Sequence, residues 1–371
     1  MTSPSQLRIV HIDTGQELRG GQRQLLLLAQ GLRERGHIQL LVCREESALE
    51  ARALCQGFPV FSLPAHDPWH AHGILLLRRE LQTEPFDILH AHDGRGQDIA
   101  WLASMGMAVQ RVASRRVTFL PSDRWTFRLK YNYTCDAVIA VSQFVKSLAV
   151  SAGIPESKLE VIPDAVEIPA ELPSAEARRK ARQRWGLEEQ DFVMGHVGAF
   201  TGEKGQDVAL EAFLRVREKL PQAHLLLLGE GPMRQSPEVM AGLAQSRGSA
   251  RALGSLENLD EFFPALDLYL MPSRSEGLGS SALLAMACGL AVAASRVGGL
   301  PEIIEEGVTG WLVAPGSAQA LAEAVLAAAS TRERLRAFGL NARARAREFS
   351  VDIMRDRTEA LYRRLVLRPS L

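Results

Sequence analysis

The sequence predicts an α/β protein of two doubly wound domains, each built on a parallel sheet. Short apolar runs rich in β-branched residues alternate with amphipathic helical patterns along most of the chain. This alternation is typical of parallel strands that are covered on both faces by helices. It stops at the proline-rich and acidic segment PDAVEIPAELP (163–173) and then starts again. The length of 371 residues also exceeds what one hydrophobic core usually holds.

Each half of the chain contains its own series of predicted strands. In the first half they are LRIVHI (7–12), IQLLVC (38–43), PVFSL (59–63), FDILHAH (86–92), VQRVAS (109–114) and DAVIAVS (136–142). In the second half they are FVMGHVG (192–198), AHLLLLG (223–229), ARALG (250–254), DLYLMPS (267–273), LAVAAS (290–295) and GWLV (310–313). We therefore place an N-terminal domain at residues 1–168 and a C-terminal domain at residues 169–349. The last helical pattern, within 350–371, is expected to pack back on the N-terminal domain.

The composition argues against several classes of protein. Lysine plus arginine and aspartate plus glutamate both number 43, so the net charge is zero and bulk binding to nucleic acid is not expected. No apolar stretch is long enough to span a membrane. The N-terminus MTSPSQLRIVHID lacks the basic and apolar segments of a signal peptide. The 4 cysteines have no CxxC spacing and are expected to be small, reduced core residues of a cytoplasmic protein.

The stretch PSRSEGLGSSALLAMACG (272–289) joins a strand to a helix and places Glu276 just ahead of the helix. The residues that follow this acid are Gly277, Leu278, Gly279, Ser280 and Ser281. Small residues leave backbone N–H groups accessible at a helix N-terminus, where anions are favoured. A carboxylate next to a phosphate site is expected where the ligand also has hydroxyls, as in a nucleotide-sugar. The alternative is a tight turn with a solvated Glu276.

A second glycine-rich loop follows the first strand of the C-terminal half, in GHVGAFTGEKGQDVALEAF (195–213). Lys204 lies just before the predicted helix, where a cation can hold a diphosphate and stabilise the charge on a leaving nucleoside diphosphate. The pattern GxxxxGK[ST] is absent, so the loop is not a P-loop. The alternative is an exposed surface lysine.

Two further loops lie at predicted strand ends in the N-terminal half. IDTGQELRGGQRQ (12–24) places Gly20 and Gly21 before a helix, which suits the close approach of a diphosphate or sugar. HAHDGRGQ (90–97) ends a strand with His92, which could donate to a sugar hydroxyl or relay a proton. A metal site in HAHD or in HDPWHAH (66–72) is a weaker alternative, because no further ligand set converges in the sequence. A histidine with only a packing role also remains possible.

The segment RVASRRVTFLPSDRWTFRLKYN (111–132) mixes cations with aromatic residues. This mixture is compatible with a solvated face, with a pocket for an acceptor phosphate and with a contact to a membrane surface. The density of cations makes an inert face the least favoured of the three.

Taken together, these motifs resemble those of the retaining glycosyltransferases of family 4. The matching stretches are RGGQRQ (19–24), FDILHAHD (86–93), DAVIAVSQFVK (136–146), EVIPDAVE (160–167), GEKGQDVALEAF (202–213), LLLLGEGP (225–232), LYLMPSRSEGLGSSALLAMACG (268–289) and GGLPEIIEEGVTGWLVAP (298–315). The resemblance implies the GT-B fold, in which two Rossmann-like domains face each other across an interdomain cleft.

The resemblance also implies roles for individual residues. Glu276 matches the first acid of the E-x7-E motif and would hold the hydroxyls of the donor sugar. Lys204 matches the diphosphate-binding lysine, and His92 matches the histidine near the donor sugar. The remaining donor-binding positions that it implies are Gly20, Gly21, Gly229, Glu230, Leu256, Gly277, Leu278, Gly279, Ser280 and Ser281.

Two positions depart from the family pattern, and both concern the nucleotide. The second acid of E-x7-E, which holds the ribose, is replaced by Leu284, and Ala199 stands where an arginine is common. A charge-assisted hydrogen bond contributes roughly 1.5–3 kcal/mol, so nucleotide affinity is expected to be reduced. Lys204 would bind the diphosphate alone or together with Arg115 or Arg116.

The implied activity is metal-independent transfer of a sugar, without a cofactor, from a UDP- or GDP-sugar to a glycan or a lipid-linked acceptor. The anomeric configuration would be retained, and the pathway would be envelope polysaccharide or lipopolysaccharide synthesis in a bacterium. The protein would be cytoplasmic, with a peripheral contact to the inner membrane. One alternative is a degenerate member that binds a sugar-nucleotide or a glycan with little turnover, and a less favoured one is a nucleotide-sugar epimerase.

Overall fold

The computed structural model of the protein describes residues 6–67, 71–120, 124–256 and 258–367. They form two compact units: unit 1 comprises residues up to Ala165 together with Val351 onward, and unit 2 comprises Val166–Ser350. Each unit contains one fully parallel sheet, as the alternation of apolar runs predicts. The boundary at Ala165 lies within the segment 163–173, all of which is described and contains no helix or strand.

Unit 1 contains a seven-stranded sheet. Its strands are β1 (Arg8–Asp13), β2 (Ile38–Arg44), β3 (Val60–Leu63), β4 (Ile88–Ala91), β5 (Gln110–Arg115), β6 (Ala137–Ala140) and β7 (Leu159–Val161). Their order in the sheet is β3-β2-β1-β4-β5-β6-β7, so the chain first builds outward from β1 and then returns to the other side of it at β4. The point where the order reverses lies between β1 and β4. Ligands of doubly wound sheets usually bind at the carboxyl ends of the strands at such a point.

The helices of unit 1 begin and end where local signals indicate. They are α1 (Gly20–Glu34), α2 (Ala48–Cys55), α3 (Ala71–Thr83), α4 (Gly94–Ala103), α5 (Arg124–Thr134) and α6 (Gln143–Ser151). The side chains of Asp93 and Ser142 accept hydrogen bonds from the first turns of α4 and α6, as N-cap residues do. Gly36, just beyond α1, has a φ of +81°, which glycine adopts without strain.

Unit 2 contains a six-stranded sheet. Its strands are β8 (Phe192–Val197), β9 (Ala223–Leu228), β10 (Ala250–Ala252), β11 (Leu268–Met271), β12 (Ala291–Ser295) and β13 (Gly310–Val313). The order β10-β9-β8-β11-β12-β13 reverses between β8 and β11. Unit 2 therefore repeats the topology of unit 1, with its own switch point between two adjacent strands.

The helices of unit 2 are α7 (Ala175–Arg184), α8 (Gln206–Lys219), α9 (Pro237–Gln245), α10 (Ser280–Ala287), α11 (Leu300–Ile303), α12 (Ala318–Ser330) and α13 (Arg332–Ala346). The final helix, α14 (Val351–Val366), belongs to unit 1. Its buried Leu361 and Leu365 join a core cluster with Leu28 and Leu32 of α1. Because the two leucines of each helix are four residues apart, they lie on one face, and each helix presents an apolar stripe to the core.

The predicted strands are all present, and one strand was missed. β7 has only three residues and pairs with β6 at the edge of the sheet, so it carries too little periodicity to be recognised. The prediction for the cysteines was wrong for Cys55, which is exposed at the end of α2. Within the described residues, no helix is long and apolar enough to cross a membrane.

Candidate functional site

The switch point of unit 2 brings together the two loops singled out in its sequence. β8 and β11 are neighbours in the sheet, with Met194 opposite Leu268 and Gly195 opposite Tyr269. The loop after β8 carries Lys204, and the loop after β11 carries Glu276. Parallel neighbours end at the same edge of a sheet, so residues distant in sequence meet there.

Lys204 and Glu276 form an ion pair at this edge. The Lys204 Nζ atom lies 2.7 Å from Glu276 Oε1, and the Ser273 hydroxyl donates to the same oxygen at 2.8 Å. The side chain of Glu276 is 9% exposed and that of Lys204 is 25% exposed. A buried carboxylate needs such compensation, because an unpaired charge in the interior is costly. The site thus offers an acceptor for hydroxyls and a cation for an anionic group side by side.

The loop around Glu276 is fixed by backbone contacts that require glycine. At Gly298, a Cβ atom would lie 1.8 Å from the carbonyl oxygen of Glu276, so only glycine allows this approach. Gly279 is the N-cap of α10, and its φ of +106° lies in the region that glycine favours. A second ion pair, between Arg274 and Asp207, joins the Glu276 loop to α8 and lowers the pKa of Asp207 through hydrogen bonding. The fold therefore fixes the backbone that positions Glu276 for its ion pair with Lys204.

The other residues expected near the donor in this loop have mixed surroundings. Leu278 is buried, and Gly277, Ser280 and Ser281 are partly buried. The hydroxyl of Ser281 donates to the Met271 sulfur at 3.5 Å, so it is directed toward β11. Leu284, at the position of the second family acid, is partly buried on α10.

Gly229, Glu230 and Leu256 lie after β9 and β10, on the other side of β8. A Cβ atom at Gly229 would lie 2.0 Å from the carbonyl oxygen of Gly198, so the loops after β8 and β9 touch backbone to backbone. Glu230 pairs with Arg234 at 2.6 Å, and both line an open groove of about 940 Å³ beside β10. Leu256 is partly buried.

The switch point of unit 1 carries a different set of groups. β1 ends at Asp13, and the chain after β4 continues into His92, whose backbone N–H donates to the Ile12 carbonyl at 2.8 Å. Asp13 accepts from the Gly15 backbone N–H and from Gln22 of α1, each at 2.9 Å. Burial and the neighbouring Asp93 raise the pKa of Asp13. These bonds hold the loop that leads to Gly20 and Gly21, which form the first turn of α1.

His92 lies in a buried cluster with two other histidines. His11 Nδ1 lies 3.1 Å from His92 Nε2, and the ring of His90 lies 4.0 Å from that of His92, measured between centroids. Burial lowers the pKa of His11 to about 4, and it holds the pKa values of His90 and His92 well below the usual range. These imidazoles are therefore neutral near pH 7.

The three histidines satisfy the distance requirement for a metal site, since one ring nitrogen from each lies within 4.8 Å of those of the other two. Every ring nitrogen, however, already has a hydrogen-bond partner. His11 bonds Gln39 and His92, His90 bonds Ser114 and Tyr362, and His92 bonds His11 and Arg116. Saturated ring nitrogens fit a hydrogen-bond network better than a ligand set. Residues 68–70 of the other candidate, HDPWHAH, lie outside the described residues.

Arg115 and Arg116 are adjacent in sequence but differ in their surroundings. Arg115 is buried, its guanidinium lies 4.8 Å from the ring centre of Phe127, and it donates to the Phe119 carbonyl. Its polar contacts serve to pack α5 and the preceding loop. Arg116 donates from Nε to Asp164 Oδ1 at 2.9 Å, and its Nη1 lies 3.5 Å from His92 Nδ1. Of the two, only Arg116 contacts the residues of the switch point.

The sequence did not identify His11, Gln39 or Tyr362 as members of this cluster. His11 and Gln39 are polar residues inside otherwise apolar strands, and this is the signal that could have found them. Tyr362 lies on the last helix, and its hydroxyl is 2.6 Å from His90 Nδ1. No local pattern relates the last helix to β4.

Comparisons with known proteins agree with the two-unit organisation. The family models described as Glycosyltransferase Family 4 and Glycosyl transferases group 1 match residues 18–168 and 177–345. A D-inositol 3-phosphate glycosyltransferase of Mycobacterium avium is 31% identical over 338 residues, which are 84% of this chain and 77% of that protein.

A second relative is a GDP-mannose-dependent alpha-(1-6)-phosphatidylinositol monomannoside mannosyltransferase of Mycolicibacterium smegmatis. It is 31% identical over 245 residues, which are 60% of this chain and 63% of that protein, so the match spans less than two thirds of its length. Among solved structures, Anabaena Alr3699/HepE in complex with UDP has a TM-score of 0.85 at 23% identity, over 96% of this chain and 99% of that chain. This likeness places the fold among the GT-B structures.

Proposed function

The chain belongs to the family 4 glycosyltransferases, and from that premise we propose that it transfers a sugar from a UDP- or GDP-sugar with retention of the anomeric configuration. The observation that carries the proposal is the ion pair of Lys204 and Glu276 at the switch point of unit 2. A sugar diphosphate needs an acceptor for its hydroxyls and a cation for its phosphates within one small region. The pair provides both.

Each partner of the pair has a defined part in the reaction. Glu276 accepts hydrogen bonds from hydroxyls of the donor sugar, and these are charge-assisted. Lys204 moves from the carboxylate to the diphosphate and stabilises the negative charge that develops on the leaving group. The backbone N–H groups from Gly277 to Ser281, at the N-terminus of α10, add to this stabilisation. Because these groups supply the positive potential, the reaction requires neither a metal ion nor a cofactor.

The acceptor is proposed to be a glycan or a lipid-linked molecule of envelope polysaccharide or lipopolysaccharide synthesis. Unit 1 carries three exposed aromatic side chains in the loop before α5 and on α5 itself: Phe119 (65% exposed), Trp125 (68%) and Tyr133 (70%). The exposed Arg128 lies on the same helix. Aromatic side chains beside cations favour the interface of an anionic membrane. The protein would then work in the cytoplasm, at the inner membrane surface.

The second candidate function is donor or glycan binding with little turnover. Leu284 is the observation that favours it, because a leucine cannot hydrogen-bond to the ribose. The two candidates share the donor site and differ in whether the product is formed.

A thermal-shift panel of nucleoside diphosphates and their sugar conjugates tests the donor site. Stabilisation grows with ligand concentration relative to the dissociation constant, so even weak binding is detected. We expect at least one UDP or GDP compound to raise the melting temperature of the natural protein and to have a smaller effect on Lys204→Met. Lys219→Met, which changes an exposed lysine at the end of α8, is the matched control. If no compound in the panel raises the melting temperature, the proposed function is wrong.

Transfer is then measured with the donor that binds. Release of nucleoside diphosphate in the presence of acceptor, in buffer with a chelator, tests turnover and metal independence together. The anomeric configuration of the product, read by NMR, tests retention. Binding without release would favour the second candidate, and product formed without any acceptor would indicate an epimerase.

A further inference from the structure

A chain of buried hydrogen bonds in unit 1 begins and ends at groups whose polarity is fixed. At one end is the backbone carbonyl of Ala29 in α1, which can only accept. At the other end is the guanidinium of Arg116, which can only donate. Between them lie Gln39, His11 and His92, all of which are buried.

The fixed ends determine the direction of every bond between them. The Gln39 amide nitrogen donates to the Ala29 carbonyl at 2.9 Å, so the amide oxygen faces His11 Nε2, 3.1 Å away. His11 must therefore carry its proton on Nε2 and leave Nδ1 as an acceptor. His11 Nδ1 lies 3.1 Å from His92 Nε2, so His92 donates from Nε2. The lone pair of His92 is left on Nδ1, facing Arg116 Nη1 at 3.5 Å.

We propose that His11 and Gln39 are positioning residues that hold His92 as its Nε2–H tautomer, so that His92 orients Arg116 and does not itself donate to a ligand. The role of Arg116 in binding a substrate rests on the proposed function, whereas the tautomer of His92 is a property of the protein without any ligand. The low pKa values of His11 and His92 agree with it, because a protonated imidazole at either position would place two N–H donors face to face and break one bond of the chain.

The group that the chain orients is the guanidinium of Arg116. Two acceptors hold it, His92 Nδ1 at 3.5 Å and Asp164 Oδ1 at 2.9 Å. Among the described residues, its Nη2 atom makes no hydrogen bond, and the side chain is 15% exposed. A guanidinium held at both Nε and Nη1 cannot turn, so it presents the N–H groups of Nη2 in a fixed direction, which suits an oxygen of a phosphate or carboxylate. The ligand group assigned to this point is thus an anionic oxygen, in place of a sugar hydroxyl bound by His92.

The neighbouring branch of the cluster provides an internal control. His90 bonds Ser114 at 2.8 Å and Tyr362 at 2.6 Å, and neither of these partners belongs to the chain from Ala29 to Arg116. Removing the Ser114 hydroxyl therefore disturbs the same buried cluster without interrupting the chain. Removing the Gln39 amide interrupts the chain between the Ala29 carbonyl and His11.

The test is ¹⁵N NMR of the histidine side chains in the full-length protein, since protonated and unprotonated ring nitrogens have well-separated shifts. In the natural protein we expect His11 and His92 each to show a protonated Nε2 and an unprotonated Nδ1 at pH 7. In Gln39→Met, His92 should populate both tautomers, and the affinity of the protein for inorganic phosphate, the probe for an anionic oxygen at Arg116, should fall about tenfold. In Ser114→Ala, both the His92 tautomer and the affinity should stay unchanged.

Measurements on the natural protein alone are enough to contradict the proposal, independently of the variants. A proton on His92 Nδ1, or a charged His92 at pH 7, would contradict it. Binding of Co²⁺ with the visible absorption of imidazole coordination would also contradict it, because the histidines would then be metal ligands. Absence of transferase activity would count against the proposed function only, since the tautomer is measured without substrate.

Discussion

The switch points of the two units have the same topology but different chemistry. In unit 2, a lysine and a glutamate form an ion pair on loops after β8 and β11, and the lysine is partly exposed. In unit 1, three neutral histidines are buried, one on β1, one on β4 and one just after β4, and every ring nitrogen is bonded. The first arrangement can exchange its partners for those of a ligand, whereas the second is already saturated.

This difference distinguishes groups that can bind a ligand from groups that hold other residues in place. An ion pair with one accessible member can open for a ligand that offers hydroxyls to the carboxylate and an anionic group to the lysine, because little else must move. A buried network loses hydrogen bonds if any member turns, and each unsatisfied group costs about 1–3 kcal/mol. We therefore expect substitutions at the ion pair of unit 2 to alter donor binding directly. Substitutions in the histidine cluster of unit 1 should act only through the orientation of Arg116.

The largest expected effect is the response of the two units to acid. His11 in unit 1 and His196 in unit 2 both have pKa values lowered from 6.5 to about 4 by burial. Between these values the unfolded chain binds a proton that the folded chain does not, so stability is complete above pH 6.5 and falls as the pH drops toward 4. At pH 5, each of these two histidines lowers the free energy of unfolding by about 2 kcal/mol relative to its value above pH 6.5. His90 and His92, both in unit 1, also have lowered pKa values and therefore also destabilise the folded protein in acid.

Hydrogen exchange resolves the two units, provided that the rates are corrected for the intrinsic effect of pH. Between pH 7 and pH 5, the strands of unit 1 should lose more protection than those of unit 2. Equal losses in both sheets would show that the histidine cluster is not a neutral, buried network.

The next effect concerns Glu276. Replacement by glutamine keeps the shape and removes the charge, and a charge-assisted hydrogen bond contributes up to about 3 kcal/mol. We expect kcat/KM for the donor to fall about a hundredfold in Glu276→Gln. Glu211→Gln removes an exposed ion pair with Arg215 on α8 and serves as the control. A donor kcat/KM within twofold of the natural value in Glu276→Gln would show that this carboxylate does not contact the donor.

A smaller effect, in the opposite direction, is expected at Leu284. Leu284→Glu restores the acid of the family pattern on a partly buried position of α10. The nucleoside diphosphate should then bind about tenfold more tightly, because a carboxylate can accept from the ribose hydroxyls. Leu340→Glu, at an exposed position of α13, controls for added negative charge. Weaker binding in Leu284→Glu alone would show that another group already occupies the ribose position.

The smallest effect concerns the aromatic surface of unit 1. Replacing Phe119 and Trp125 by serine should weaken binding to anionic lipid vesicles about fivefold, at about 1 kcal/mol in total. Leu54→Ser, which changes a similarly exposed apolar residue on α2, should leave vesicle binding unchanged. Vesicle sedimentation measures both. Binding of the natural protein that is no stronger to anionic than to neutral vesicles would contradict the proposed membrane contact.

The candidate site could be predicted in part from the sequence. Lys204 and Glu276 were identified because each follows an apolar run and precedes a helical pattern, and such local signals are independent of the rest of the fold. Their direct contact was not predicted, because it depends on the pairing of β8 with β11 and on the fixed backbone at Gly298. The different surroundings of Arg115 and Arg116 were also not predicted, since two adjacent residues of one cationic segment have no local feature that separates them.

The sequence by itself determined the class of the fold, the positions of nearly all strands and the loops in which polar chemistry is placed. These depend on periodicity and on glycine, which act over a few residues. Only the tertiary structure decided which loop ends meet, and it connected Ala29 with Arg116 through Gln39, His11 and His92. These contacts link residues far apart in the chain, and the shared burial that fixes their partners exists only after the sheet has formed.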